Sequence, residues 1–338
     1  MAKWDHEDLK SKADLLRENA WKDKALYSGA ITGGAPKLGG ENTITTEGTL
    51  LGKNVSAPSY YDPSVLVAVP RTVNRDQYGI TNADFEGNDL WRCYECSTLT
   101  KNGMPVYFSL NIQYNSNSPF LVESKSLKLY LNSFNMHRSA FDTIIGTYRG
   151  YVASVIHDLK NILGVDVAVW SDDFEIRLTY NKFDEYVKLQ DLIDYSMISD
   201  GGYKVNKDLL KTSPLVFDKN NKYVFSGFRS NCKVTKQPDY ATVYINITSG
   251  GLDPVSLVKY LTSYRNEEHL HEECCELIYK HLLEVYNPKE LQVSCCYTRR
   301  GGIDITPSRY LKRQGFITNS TSYDEQYFLI NPIRNKYQ

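Results

Sequence analysis

Between residues 106 and 113, apolar Val106, Phe108, Leu110 and Ile112 alternate with Tyr107, Ser109, Asn111 and Gln113. That is the two-residue period of a half-buried strand. The apolar stretch 90–99 before it supplies a partner strand, and Asn102-Gly103 supplies the turn between them. A helical spacing takes over at Phe141, Ile144, Ile145, Tyr148, Val152, Val155, Ile156 and Leu159. Alternation then returns at Val165, Val167, Val169 and again at Phe174, Ile176, Leu178. The predicted order is strand, strand, helices, strand, strand.

The same order comes back downstream. Residues 223–235 and Val243, Ile245, Ile247 read as a strand pair. Helical patterns follow at 254–264 and at Leu270, Cys274, Leu277, His281, Val285, and Leu291, Val293, Cys295 open a further strand pair. Ser126, Leu127, Tyr130, Leu131 and Ser133 recur as Ser256, Leu257, Tyr260, Leu261 and Ser263, at a fixed offset of 130 residues. The chain therefore reads as two copies of one ββααββ module, an α+β architecture.

Composition narrows the function classes. With 41% hydrophobic and 23% charged residues, the 338-residue chain can bury the core of one large domain or two ordinary ones. Its 39 Lys and Arg balance 40 Asp and Glu, which argues against direct nucleic-acid binding, since that needs a clustered basic excess. No apolar run approaches the roughly 18 residues of a membrane span. The opening Met1-Ala2-Lys3-Trp4-Asp5-His6 is too polar for a signal peptide. Seven cysteines in this length are not a disulfide framework. The expectation is a cytoplasmic protein. Residues 4–26 read as a charged helix and 28–59 as an irregular arm. The glycines at 33–40 and 48–52 lack the spacing and the strand–helix context of a phosphate loop.

Three clusters could carry chemistry. Cys232 stands seven residues before Asp239, with Pro238 turning the chain between them; a thiol and an acid so placed suit covalent catalysis, although a lone cysteine is more often a buried apolar side chain. His269, His271, Cys274 and Cys275 invite a zinc reading. That reading needs further ligands, and alternation sets the only CxxC pair, Cys93 and Cys96, on opposite faces of a strand. Arg299-Arg300-Gly301-Gly302 offers cationic forks and close backbone access to a phosphate, or is simply a solvated hairpin turn.

Together these pieces resemble the QueF family of NADPH-dependent 7-cyano-7-deazaguanine reductases. The resemblance rests on the motif 123–130 (Glu123-Ser124-Lys125-Ser126-Leu127-Lys128-Leu129-Tyr130), on Ser230-Asn231-Cys232 with Gln237-Pro238-Asp239, on His271-Glu272, and on Tyr297-Thr298-Arg299-Arg300-Gly301-Gly302-Ile303-Asp304. Upstream, Tyr61-Asp62 and Val69-Pro70-Arg71-Thr72-Val73-Asn74-Arg75-Asp76 resemble the N-terminal block of the long, two-module form. The resemblance implies a tandem tunnelling fold with antiparallel sheets and helices on one face. It divides the chain into an arm (1–58), a first module (59–185), a second module (186–315) and a tail (316–338). It implies Cys232 as nucleophile and Asp239 as proton donor, which would hold its proton in an apolar setting. Val122, Glu123, Ser124, Leu270, His271 and Glu272 would bind the deazaguanine nitrile. Ser124, Lys125, Arg300 and Gly301 would hold NADPH, with no metal required. Open sheet edges imply a homodimer. Leu270 stands where the family usually carries Phe, and Tyr240-Ala241 where Trp-Gly is common, so the base loses a stacking ring unless Tyr240 or another tyrosine supplies one from a different wall. Two other readings stay open: an enzyme adding ammonia to the same nitrile, and a non-catalytic purine or pterin binder.

Overall fold

The computed structural model describes residues 57–82, 84–174, 186–198, 203–213 and 221–311. The expected N-terminal helix, most of the arm, the strand at Ile176 and Leu178, and the C-terminal tail lie outside the described residues. In chain order the regular elements are β1 (Ala68–Pro70), α1 (Thr72–Tyr78), β2 (Glu86–Leu99), β3 (Pro105–Asn115), β4 (Phe120–Val122), α2 (Ser124–Ser133), α3 (Ile144–Leu163) and β5 (Val167–Trp170). They continue with β6 (Val187–Lys188), β7 (Asn221–Cys232), β8 (Pro238–Thr248), α4 (Pro254–Thr262), β9 (Glu268–His269), α5 (His271–Tyr286), β10 (Glu290–Tyr297) and β11 (Ile303–Tyr310).

One sheet runs through the molecule in the order β5-β3-β2-β11-β10-β8-β7-β6, with β9 added beside β7. The halves are joined by antiparallel pairing of β11 with β2, from Ile303↔Cys93 to Tyr310↔Glu86. Period-two alternation decides which face is covered. Val243, Ile245 and Ile247 of β8 and Val293, Cys295 and Tyr297 of β10 enter one core with α4 and α5, while Tyr244 and Cys296 point to a small cluster on the other face. Helices thus pack on one face of an antiparallel sheet, an α+β fold as expected.

The ββααββ order is complete in the second half; in the first, the closing strand falls outside the described residues. The echoed helices repeat their internal bonds. Ser126 Oγ donates to Glu123 O and Ser256 Oγ to Asp253 O, each at 2.8 Å, and Ser133 and Ser263 donate to Tyr130 O and Tyr260 O, each at 2.6 Å. Leu127, Leu257, Tyr130 and Tyr260 are wholly buried.

Three sequence expectations need correcting. A bulge shifts the β2–β3 register between Cys93 and Cys96, so the extra residue turns both thiols into the same core rather than to opposite faces. Phe141 precedes α3 instead of opening its buried stripe. Its ring folds back over Gly146 and Gly150, where an added Cβ would meet ring atoms at 3.1 and 3.0 Å, and Ile144 and Ile145 remain exposed. The strand expected over 223–235 stops at Cys232, because 233–235 form a turn.

A buried ionic junction fastens the halves. Arg309 of β11, wholly buried, reaches Asp89 of β2 at 2.9 Å and Glu276 of α5 at 2.8 Å. Arg71 pairs with Asp89 and Arg75 with Glu276, each at 2.5 Å. Burial works against charge on both carboxylates. The guanidiniums more than offset it and hold Asp89 and Glu276 below the usual carboxylate range.

Candidate active site

Where the modules meet, a cavity of about 340 Å³ opens, within the range of small-molecule sites. Every site residue singled out from the sequence lines it: Val122, Glu123, Ser124 and Lys125 from the first module, and Cys232, Asp239, Leu270, His271, Glu272, Arg300 and Gly301 from the second.

The β7–β8 hairpin places the thiol. Cys232 ends β7, donates its N–H to Gln237 O at 2.7 Å and accepts from Lys236 N–H at 2.9 Å. Lys236 takes the left-handed conformation this closure needs, φ 59°. Thr235 N–H points at Cys232 Sγ at 3.5 Å. Pro238, with no N–H to offer, opens β8 and delivers Asp239, which is 3% exposed.

Asp239 is not in an apolar setting, contrary to expectation. Arg300 Nη1 bonds its Oδ1, Arg300 Nη2 donates to Pro238 O at 2.8 Å, and His271 Nε2 lies 3.3 Å from its Oδ2. His271 stacks on Tyr297 at 3.7 Å and 11°. Glu272, the next residue of α5, is also buried: burial first, then the charge of Asp89, pushes its carboxyl above the ordinary range, against the pull of His271 and Arg71. Glu123 caps α2, its Oε2 accepting Ser126 N–H at 2.6 Å. Ser124 and Lys125 form the first turn, and Lys128, one turn on, pairs with Glu95 at 3.2 Å.

Arg300 and Gly301 sit in the β10–β11 turn, which is a hairpin turn and a cavity wall at once. Gly301 and Gly302 both have positive φ, 58° and 81°, the pair of left-handed residues a tight hairpin demands. A Cβ on Gly302 would come within 2.5 Å of the Glu95 carboxyl.

Trp91, Lys128, His269 and Thr298 also line the cavity; Lys128 and Thr298 lie inside the family motifs without an assigned role, and His269 stood only among the candidate zinc ligands. Trp91 sat in plain sight within an alternating strand but reads there as core. Tyr240 is 45% exposed and lies outside the lining; Trp91, 2% exposed, is the aromatic residue that borders the cavity. Among the described residues no group of three or more His, Cys, Asp or Glu is arranged to hold a metal ion, and no helix is long and apolar enough to cross a membrane.

Fold and cavity define a tandem-module α+β protein whose junction gathers a thiol, three carboxyl groups and several cations. Residues 57–170 match the family model described as "Nitrile reductase, 7-cyano-7-deazaguanine-reductase N-term", and residues 238–315 match that described as "QueF-like protein". The chain belongs to the QueF family, with both parts in one polypeptide. A solved structure titled "Crystal structure of the archaeosine synthase QueF-Like in the apo form" is similar over 28% of this chain and 96% of its own, at 20% identity and a TM-score of 0.27.

Proposed function

We propose that the chain reduces 7-cyano-7-deazaguanine to the 7-aminomethyl compound with two equivalents of NADPH, through a thioimide on Cys232. The observation carrying this reading is the convergence of Cys232, Asp239, Glu123 and the His271-Glu272 pair, from both modules, on one cavity. Cys232 sulfur adds to the nitrile carbon, and the nitrile nitrogen takes a proton. This turns a poor hydride acceptor into a C=N bond. Asp239 delivers protons to nitrogen, and His271 Nε2, 3.3 Å from Oδ2, is placed to resupply it. Glu123 and Glu272 meet the N–H groups of the base.

The residues fit the cofactor. Lys125 and Lys128 on α2 and Arg300 beside Gly301 offer donors of the kind that bind phosphate. NADPH supplies the hydride when bound. Arg300 also clasps Asp239, so one guanidinium serves both the acid and the phosphate. All seven cysteines are free thiols, a state a reducing cytosol maintains. Among the described residues the sheet ends at β5 and β6, and we assign these edges to homodimer formation, to be checked by light scattering.

The test is intact mass spectrometry of protein mixed with nitrile and no NADPH, then absorbance at 340 nm once NADPH is added. A substrate-sized adduct lost in Cys232→Ala, and NADPH consumption, are expected. An adduct without NADPH consumption would point to the ammonia-adding reaction instead. No adduct at all would leave only binding.

A further inference from the structure

The mechanism above leaves the thiol proton of Cys232 without an acceptor. Asp239 is bonded to Arg300, and His271 Nε2 faces Asp239. A second imidazole stands closer in the ladder. β9 pairs with β7 in parallel so that His269 is the direct partner of Cys232; partner residues present their side chains on the same side, and both line the cavity. His269 is 3% exposed. Its Nδ1–H donates to Glu273 Oε1 at 2.8 Å, which leaves Nε2 as the acceptor nitrogen. Nε2 is buried with no hydrogen-bond partner among the described residues.

The surroundings of this ring suit a transient positive charge. Glu273 is anchored from three sides: it accepts from His269, from Leu270 N–H at 3.1 Å, and faces Lys233 Nζ at 3.5 Å. Burial pushes its carboxyl up, but the hydrogen bond and charge of His269 and the charge of Lys233 bring it below the ordinary range, so it is ionised. Glu267 Oε2 lies 3.9 Å from Nε2 itself. The rings of Tyr264 and Tyr78 close the remaining sides, with centroids at 5.8 and 6.1 Å.

We propose that His269, oriented by Glu273, takes the thiol proton of Cys232. This rests on Cys232 being the nucleophile. The S–H bond breaks, the proton passes to Nε2, and the electron pair stays on sulfur to form the S–C bond. Glu267 and Glu273 stabilise the resulting imidazolium.

Alkylation of Cys232 by iodoacetamide, followed on its peptide by mass spectrometry, needs neither nitrile nor NADPH. In His269→Gln the rate at about pH 7 should fall roughly ten-fold or more, while at about pH 10, where a thiol ionises unaided, it should match the wild type. Glu273→Gln should give the same pattern with a smaller loss, and carries the test if His269→Gln fails to fold. An unchanged rate at neutral pH overturns the proposal and leaves the nitrile reading intact, as does an equal fall at both pH values, which would mean a packing role alone. A wild-type Cys232 no faster than free cysteine at neutral pH would overturn the nucleophile reading, and this proposal with it.

Discussion

The ends of the two long hairpins occupy the same place in their modules and do different work. Leu99 pairs with Pro105 as Asn231 pairs with Pro238, and each hairpin then meets the segment after its first helix in parallel, Leu99 with Arg138 and Asn231 with Glu268. By this register Thr100 corresponds to Cys232, Val106 to Asp239 and Ser139 to His269. In the first module the position closes on itself: Thr100 accepts Met104 N–H on its hydroxyl at 3.0 Å, and Val106 is buried. In the second the thiol, the acid and the imidazole all face the cavity. Duplication kept the ladder and the turns. The residues proposed for the chemistry lie in one copy, while the other brings Glu123 and the cations of α2 to the cavity.

The largest effect comes from separating the modules. Removing one member of a buried ion pair costs about 3–5 kcal/mol because a charge is left uncompensated. Arg309→Ala leaves Asp89 with Arg71 and Glu276 with Arg75 but removes the guanidinium that joins them, so we expect a loss near the lower end of that range in urea unfolding, and a single transition splitting in two if either half holds together alone. The junction also fixes an acid response. Asp89 and Glu276 have depressed folded-state values, so their contribution is full above the ordinary carboxylate range and is lost as pH falls through the depressed values. Wild-type stability should drop steeply in acid, and Arg309→Ala should flatten that slope.

Next is the acid that the first module lacks. Asp239→Asn should slow turnover by roughly 10²-fold or more and also slow the appearance of the Cys232 adduct, since the nitrile nitrogen takes its proton from Asp239 as sulfur adds. If turnover in Asp239→Asn stays near wild type, Asp239 is only the anchor of Arg300.

The equivalent helix caps give a smaller, paired test. Glu123 and Asp253 each accept the N–H of the serine three residues on, and losing either cap costs about 1 kcal/mol. Glu123→Ala and Asp253→Ala should therefore lower stability alike. Only Glu123→Ala should weaken nitrile binding, by ten-fold or more, the scale of a lost hydrogen bond to a charged group at about 1.5–3 kcal/mol. Equal effects on binding would mean that Glu123 acts through the helix and not on the base.

Much of this was legible because it is periodic. β3, α4 and α5, and the echo between Ser126 and Ser256, follow from spacing alone, whereas the site blocks, each ambiguous by residue type, were legible through their resemblance to the QueF motifs. What spacing hides is anything set by distant partners. Arg309 finds Asp89 across 220 residues, and Asp239 finds Arg300 across 61, so neither the junction nor the clasp on the acid shows in a local window. The bulge at Cys93 and Cys96 is equally silent, since one extra residue in a strand leaves the composition unchanged.

The smallest effect concerns the wall over the base. Leu270 immediately precedes α5, lines the cavity and packs on the first module's core, so it is where the second copy leans on the first. It covers apolar surface without a flat ring, and a ring stacked on a base contributes about 1–3 kcal/mol. Trp91 already offers an indole to the same cavity, so an added ring should gain little more than the lower end of that range. Leu270→Phe should tighten nitrile binding by at most about ten-fold, near 1.4 kcal/mol, with the maximal rate unchanged, whereas Trp91→Leu should weaken binding by more. A marked loss of binding in Leu270→Phe would mean that Leu270 makes room for a bulkier ligand, and the assignment of the substrate, though not of the covalent step, would have to change.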